Sequence, residues 1–194
     1  ASGAQGIRPV LPDEYAWAEI GRLDPAGHGH CSYDLVPGQA VRLSPRVIRV
    51  TANNGSMMTG PGTNTYLVGG GARNVWAAID PGPLLPEHVQ AILAAAPGPI
   101  ESIFVTHTHK DHSPAAQALK AATGATLHGR VAAHPQWQDT SFVPDISLAG
   151  GERFELSEDA TLRVIHTSGH ASNHLCYLLE QEQLLFTGDH VMQS

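Results

Sequence analysis

From residue 46 onward, short apolar runs alternate with Gly and Pro punctuation, and the period of each run predicts the element it forms. Residues 46–50 (Arg-Val-Ile-Arg-Val) alternate with period two, residues 65–68 follow a Pro61-Gly62 turn, and residues 75–79 end at Asp80-Pro81-Gly82. Three short strands with tight connections predict an antiparallel meander. Residues 86–96 carry Ala, Leu and Ile after a proline and stop at Pro97-Gly98-Pro99, which predicts a helix. A buried strand over 100–106 follows. A second helix is expected after it, with Ser113 as N-cap, Pro114 at its first position and Gly124 as its stop. Further strands are expected over 125–128, 153–156, 161–167, 175–180 and 184–187, while the polar stretch 131–140 fits either a loop or a helix. Strands early and late with helices between them predict an α/β (α+β) chain of packed sheets with helices on outer faces.

Residues 1–45 differ in character. They are rich in Gly and Pro, with one short helix expected over 13–22, and read as an N-terminal extension to a domain spanning 46–194. His28 and His30 fall in a Gly-rich loop and are expected to be solvated rather than ligands.

The chain has 194 residues, which gives about one domain. Its net charge of −7, with only 15% charged residues, argues against a binder that holds nucleic acid by electrostatics. It leaves open an enzyme that acts on RNA. No apolar run of 18 residues and no basic-then-apolar leader occurs, so a membrane span is not expected and a cytoplasmic location is. The two cysteines, Cys31 and Cys176, define no disulfide framework, and Cys176 reads as a small buried hydrophobe in an apolar run.

Histidine changes the picture. Nine of the twelve histidines lie between His107 and His190. The densest segment is Thr106-His107-Thr108-His109-Lys110-Asp111-His112-Ser113, placed between a buried strand and a capped helix. Positions i, i+2 and i+4 of an extended segment project to one side, so His107, His109 and Asp111 can converge, and His112 can approach from the turn. Three imidazoles and a carboxylate suit zinc, with iron or manganese as further candidates. His170 follows an apolar strand and Gly169, a glycine expected to permit a sharp turn. Asp189 follows a strand and Gly188, and reads either as a cap of the next turn or as a further ligand.

These motifs, His107-x-His109-x-Asp111-His112, Ser168-Gly169-His170 and Gly188-Asp189, in that order, resemble the metallo-β-lactamase superfamily from about residue 46 to the end. Pro61-Gly62-Thr63-Asn64-Thr65-Tyr66-Leu67-Val68 and Gly169-His170-x-x-x-His174 are similar to the subgroup that includes β-lactamase-like protein 2, an endoribonuclease. The resemblance implies an αββα sandwich with its site at the edge where the sheets meet. It also implies one or two zinc ions, the first on His107, His109 and His170, the second on Asp111 and His112, with Asp189 bridging. Asp80 takes the place of a carboxylate that orients a ligand histidine. The implied reaction is hydrolysis of an ester, thioester, β-lactam or phosphodiester bond by metal-activated water, with Asp111 positioning the nucleophile or shuttling its proton. The superfamily's further histidine for the second metal has no counterpart, since only five residues follow Asp189, so the resemblance implies a C-terminally truncated domain with an incomplete second half and second site.

An iron-binding redox member of the fold and an inert truncated metal-binding fragment are the alternative readings. Self-association through an exposed sheet edge is expected. His88, His128, His134 and His166 read as surface or satisfied core residues, His174 as a support for a ligand, His190 as pointing elsewhere and Lys110 as solvent-facing. Met57 and Met58 are candidates for an apolar lip over a substrate.

Overall fold

The computed structural model describes residues 35–134 and 136–191. The helix expected over 13–22, His28, His30 and Cys31 lie outside them.

Two sheets face each other. The larger has seven strands in sequence order: β1 (Ala40–Ser44), β2 (Val47–Thr51), β3 (Asn64–Gly70), β4 (Val75–Ile79), β5 (Ile100–Phe104), β6 (Thr126–Gly129) and β7 (Ile146–Ser147). Pairing is antiparallel from β1 to β4, the expected meander, and parallel from β4 to β7. Helices α1 (Pro86–Ala95) and α2 (Ala116–Thr123) make the crossovers on either side of β5. The second sheet is an antiparallel four-stranded unit in the order β11-β10-β9-β8, formed by β8 (Arg153–Ser157), β9 (Ala160–His166), β10 (Leu175–Leu179) and β11 (Leu184–Phe186).

Side-chain alternation builds two cores from one sheet. Val47, Val68, Ala77, Ile79 and Phe104 point between the sheets, onto Leu162, Val164, Leu175, Tyr177 and Phe186. Their neighbours Ile48, Leu67, Trp76, Ala78 and Ile103 point the other way, onto Val89 and Ile92 of α1 and Leu119 of α2. This two-sided burial is why β2 and β4 are buried along their whole length. Among the described residues both α-helices lie on the seven-stranded sheet, so these residues form the helix-sheet-sheet layers of the sandwich. Among the described residues β11 pairs only with β10.

Two local features depart from the expectations of sequence. β1 and β7 carry no strand pattern that marks them, and β1 lies inside residues 1–45 yet pairs along β2. Helix α2 starts at Ala116, after Ser113 and Pro114, because the Ser113 hydroxyl donates to Asp139 Oδ2 (2.7 Å) and does not cap the helix; Gly124 ends it in a left-handed conformation as expected. Of the two readings offered for 131–140, the described residues 131–134 and 136–140 take the loop, held by a bridge between His109 and Gln138. Gly169 lies in a bend, the expected turn, without a left-handed conformation, and Gly188 takes one (φ 47°).

Candidate metal centre

The histidines sit where strands run out. β5 delivers the segment 106–113, the end of β9 leads to His170, and β11 runs into a short 3-10 turn (Gly188–His190) that carries Asp189. Backbone and side-chain hydrogen bonds lock these ends together. Leu175 N donates to Thr106 O (2.7 Å), and Asn173 Nδ2 donates to Thr108 Oγ1 (2.9 Å) and Arg130 O (2.8 Å). Gly188 lies so close to the ligand strand that a Cβ there would stand 2.7 Å from Thr106 Oγ1 and 2.9 Å from His174 Nε2.

Two donor groups result. His107, His109, His170 and Asp189 form one, and Asp111, His112 and Asp189 the other, each with its donor atoms within 4.8 Å of one another. In the first, His109 Nδ1 is 3.0 Å from His107 Nε2 and 2.9 Å from His170 Nε2, and Asp189 Oδ2 is 3.4 Å from His170 Nε2. Nitrogens bound to one tetrahedral zinc stand about 3.3 Å apart, so this spacing suits a shared cation. In the second, His112 Nε2 is 3.4 Å from Asp111 Oδ2 and 3.2 Å from Asp189 Oδ1. Asp189 belongs to both groups.

Asp80 organises the ligands from behind, through every polar atom it has. Its N–H donates to Phe104 O (2.9 Å) and its carbonyl accepts from Thr65 Oγ1 (2.7 Å). Oδ1 accepts from Thr106 N (2.7 Å), while Oδ2 accepts from Thr106 Oγ1 (2.7 Å) and His112 Nδ1 (2.9 Å). The bond from His112 places a proton on Nδ1 and turns Nε2 toward Asp111 and Asp189, where a metal ion would take the place of its proton. Thr106 spends its single hydroxyl proton on Asp80, so its 3.1 Å contact with His107 Nδ1 has His107 as donor, and His107 Nε2 is bare. One carboxylate thus sets the tautomer of a histidine in each group.

Electrostatics favour neutral ligand imidazoles at His107 and His109 and a cation among carboxylates at His112. Burial, reinforced by His112, His174, His109 and His170, pushes the His107 pKa far down, and burial with His170 lowers that of His109, so both imidazoles stay neutral. For His112, burial opposes the cation but Asp80, Asp111 and Asp189 outweigh it and raise its pKa well above the ordinary value. Burial works to raise the Asp111 and Asp189 pKa values, yet their hydrogen bonds to His112 prevail and both are lowered.

Other histidines resolve individually. His174 is fully buried, its Nδ1 3.0 Å from Thr167 Oγ1, and its ring stacks on His107 at 4.9 Å between centroids. His190 belongs to neither donor group and lies 5.7 Å from the His174 ring. His88 and His128 are buried, each with Nδ1 unpartnered, whereas His134, His166 and Lys110 are exposed. Cys176 is buried. The loop contact to Thr108 through Gln138 and Asp139 has no signal in the sequence, because those residues are some thirty positions away and carry no motif.

Comparison with known proteins fits this geometry. The family model described as "Metallo-beta-lactamase superfamily" matches residues 58–194. An atrochrysone carboxyl ACP thioesterase from Aspergillus chevalieri is 36% identical over 154 residues, covering 78% of this chain and 47% of that protein. The chain therefore spans about half the length of the curated relatives it matches. The crystal structure of ETHE1 from Myxococcus xanthus is 28% identical with a TM-score of 0.54, over 68% of this chain and 54% of that one. A β-lactamase domain protein from Burkholderia ambifaria shares the fold at a TM-score of 0.66 and 18% identity, over 82% of this chain and 57% of that one. With two donor groups at its strand ends and a family match over most of its length, this chain belongs to the metallo-β-lactamase superfamily.

Proposed function

We propose that the chain carries the metal centre of a zinc-dependent hydrolase that cleaves thioesters. The observation that carries this reading is the convergence of His107, His109, His170 and Asp189 beside Asp111 and His112, with two ligand tautomers set through Asp80. Imidazole nitrogens with a few carboxylate oxygens are the donor set zinc prefers, and the two groups sharing Asp189 have room for one or two ions. A divalent cation bound by these residues would supply Lewis acidity toward a carbonyl oxygen and hydroxide near neutral pH.

The chain's own residues supply the remainder. Asp111, ionised and half-buried, sits where it orients an attacking water and accepts its proton. Asp189 holds the two donor groups in register. Substrate class follows from charge and from the thioesterase relative. A net charge of −7 disfavours a polyanion, so thioesters replace RNA as our first assignment despite the likeness to the endoribonuclease subgroup. Two apolar features suit an acyl chain: Met57 and Met58, fully exposed in the loop between β2 and β3, and Trp137, 78% exposed next to the Gln138 that bridges His109. Among the described residues no helix is long and apolar enough to cross a membrane.

The test is hydrolysis of acyl thioesters and of a generic phosphodiester by purified protein, with metal content measured in parallel. We expect zinc, thioester cleavage, and loss of both in His109→Ala. Undiminished thioester hydrolysis by the metal-stripped protein or by His109→Ala would overturn the mechanism. Iron without zinc would favour the redox alternative, and metal uptake without any hydrolysis would favour the inert one.

A further inference from the structure

Asp80 is an aspartate in a left-handed backbone conformation (φ 51°), buried in the turn that follows β4. Such a conformation costs free energy and persists only where surrounding contacts over-determine it. Its carboxylate is held by the ligand segment it serves, so the anchor that fixes it independently lies on its backbone.

The Asp80 N–H is bonded to Phe104 O, and its carbonyl is anchored by Thr65 of β3. The Thr65 hydroxyl, fully buried, donates to Asp80 O at 2.7 Å and lies 2.8 Å from His88 Nε2 of α1. A hydroxyl has one proton, and here it goes to Asp80. His88 must therefore be the donor to Thr65, with its proton on Nε2. The other ring nitrogen, Nδ1, is buried and has no partner, so among the described residues the whole polar function of this imidazole is spent on Thr65. The neighbouring turn is closed around the same pair. Gly82 N donates to His112 O (2.8 Å), Ala115 N donates to Gly82 O (3.0 Å), and a Cβ on Gly82, itself at φ 83°, would come within 3.1 Å of His88 Nε2.

We propose that Thr65 and His88 are positioning residues for the metal centre. The relay runs from His88 Nε2–H to Thr65 Oγ1–H to the carbonyl of Asp80, and it fixes the backbone from which the Asp80 carboxylate reaches His112 and, through Thr106, His107. Neither side chain belongs to a donor group, and neither lies in a metal-binding motif. The inference rests on the reading of His107 and His112 as metal ligands.

Thr65→Val removes the hydroxyl and keeps the branched shape that β3 packs, while Thr65→Ser restores the donor. The first readout is NMR of the metal-free protein, which follows the His112 Nδ1 proton bonded to Asp80 and the tautomer of His88. The second is titration of the metal-free protein with zinc or cobalt. We expect a slowly exchanging, downfield His112 proton in the wild type and Thr65→Ser, its loss in Thr65→Val, and metal affinity weakened about 10- to 100-fold in Thr65→Val alone, the range found for supports behind metal ligands. His88 is expected as the Nε2–H tautomer. If Thr65→Val fails to fold, His88→Gln, which keeps a donor, and His88→Phe, which does not, carry the same comparison. Wild-type affinity and an unchanged His112 proton in Thr65→Val or His88→Phe would overturn the inference. A wild-type protein that takes up no metal would instead remove the functional reading, and the NMR arm would still judge the relay.

Discussion

Asp80 shows what a single side chain can decide in this molecule. Its two carboxylate oxygens accept three hydrogen bonds, from Thr106 N, Thr106 Oγ1 and His112 Nδ1. Asp80→Asn keeps the shape but replaces one acceptor by an N–H₂ that must face a donor. If the amide turns toward His112, the imidazole loses its acceptor and its Nδ1 proton; if it turns toward Thr106 N, a buried donor pair is left unsatisfied. Either way we expect a loss of about 1–3 kcal/mol in stability and about 10- to 100-fold in metal affinity. Urea denaturation of the metal-free protein and metal titration read the two effects separately, and wild-type values in both would refute this role. The candidate ligands His107, His109 and His112 are legible in the sequence because they fall in one short segment after a buried strand. The relay behind Asp80 is not, because Thr65 and His88 stand 15 and 8 residues from it in sequence and meet only through the packing of α1 on the sheet.

Elements are legible in proportion to how strongly burial marks them. β2, β3, β4 and β5 stand out because apolar Val, Ile, Leu and Phe side chains enter one of two cores. β1 alternates exposed and half-buried positions at a sheet edge, and both residues of β7 are exposed, so backbone pairing rather than side-chain burial makes them strands. The start of α2 departs from expectation because Ser113 satisfies a local capping pattern while a residue 26 positions away, Asp139, takes its hydroxyl. At the other side of the site, the exit of β11 depends on Gly188. Its positive φ, and the 2.7 and 2.9 Å that would separate an added Cβ from Thr106 and His174, leave no space for a side chain. Gly188→Ala should therefore cost about 2–4 kcal/mol and displace Asp189 from both donor groups. A thermal midpoint and zinc affinity equal to wild type would contradict that expectation.

At the scale of the whole molecule, buried neutral histidines tie stability to pH. His88 and His128 lie 2% and 4% exposed, and burial lowers each pKa from 6.5 to about 4. His128 stacks on Phe104 at 4.5 Å, near Phe154, with only the distant charge of Asp145 favouring its cation. The unfolded chain binds protons at these sites below about pH 6.5, and the folded chain resists until about pH 4. Stability from the two groups is thus complete above about pH 6.5 and falls as the pH drops through that window, by at most about 3 kcal/mol for each. Burial of His107 and His109 acts in the same direction, while His112, whose pKa is raised, acts in the opposite one, so the net curve of the wild type mixes several groups. A difference measurement isolates one of them. His128→Leu is close in volume, removes an unpartnered Nδ1 and adds no polar atom. Urea titrations of metal-free wild type and His128→Leu between about pH 7.5 and 4.5 should give a shallower loss for the variant, by up to about 1.4 kcal/mol per pH unit within the window. Parallel curves would mean that His128 is protonated in the folded protein, and that the stack on Phe104 does not keep it neutral.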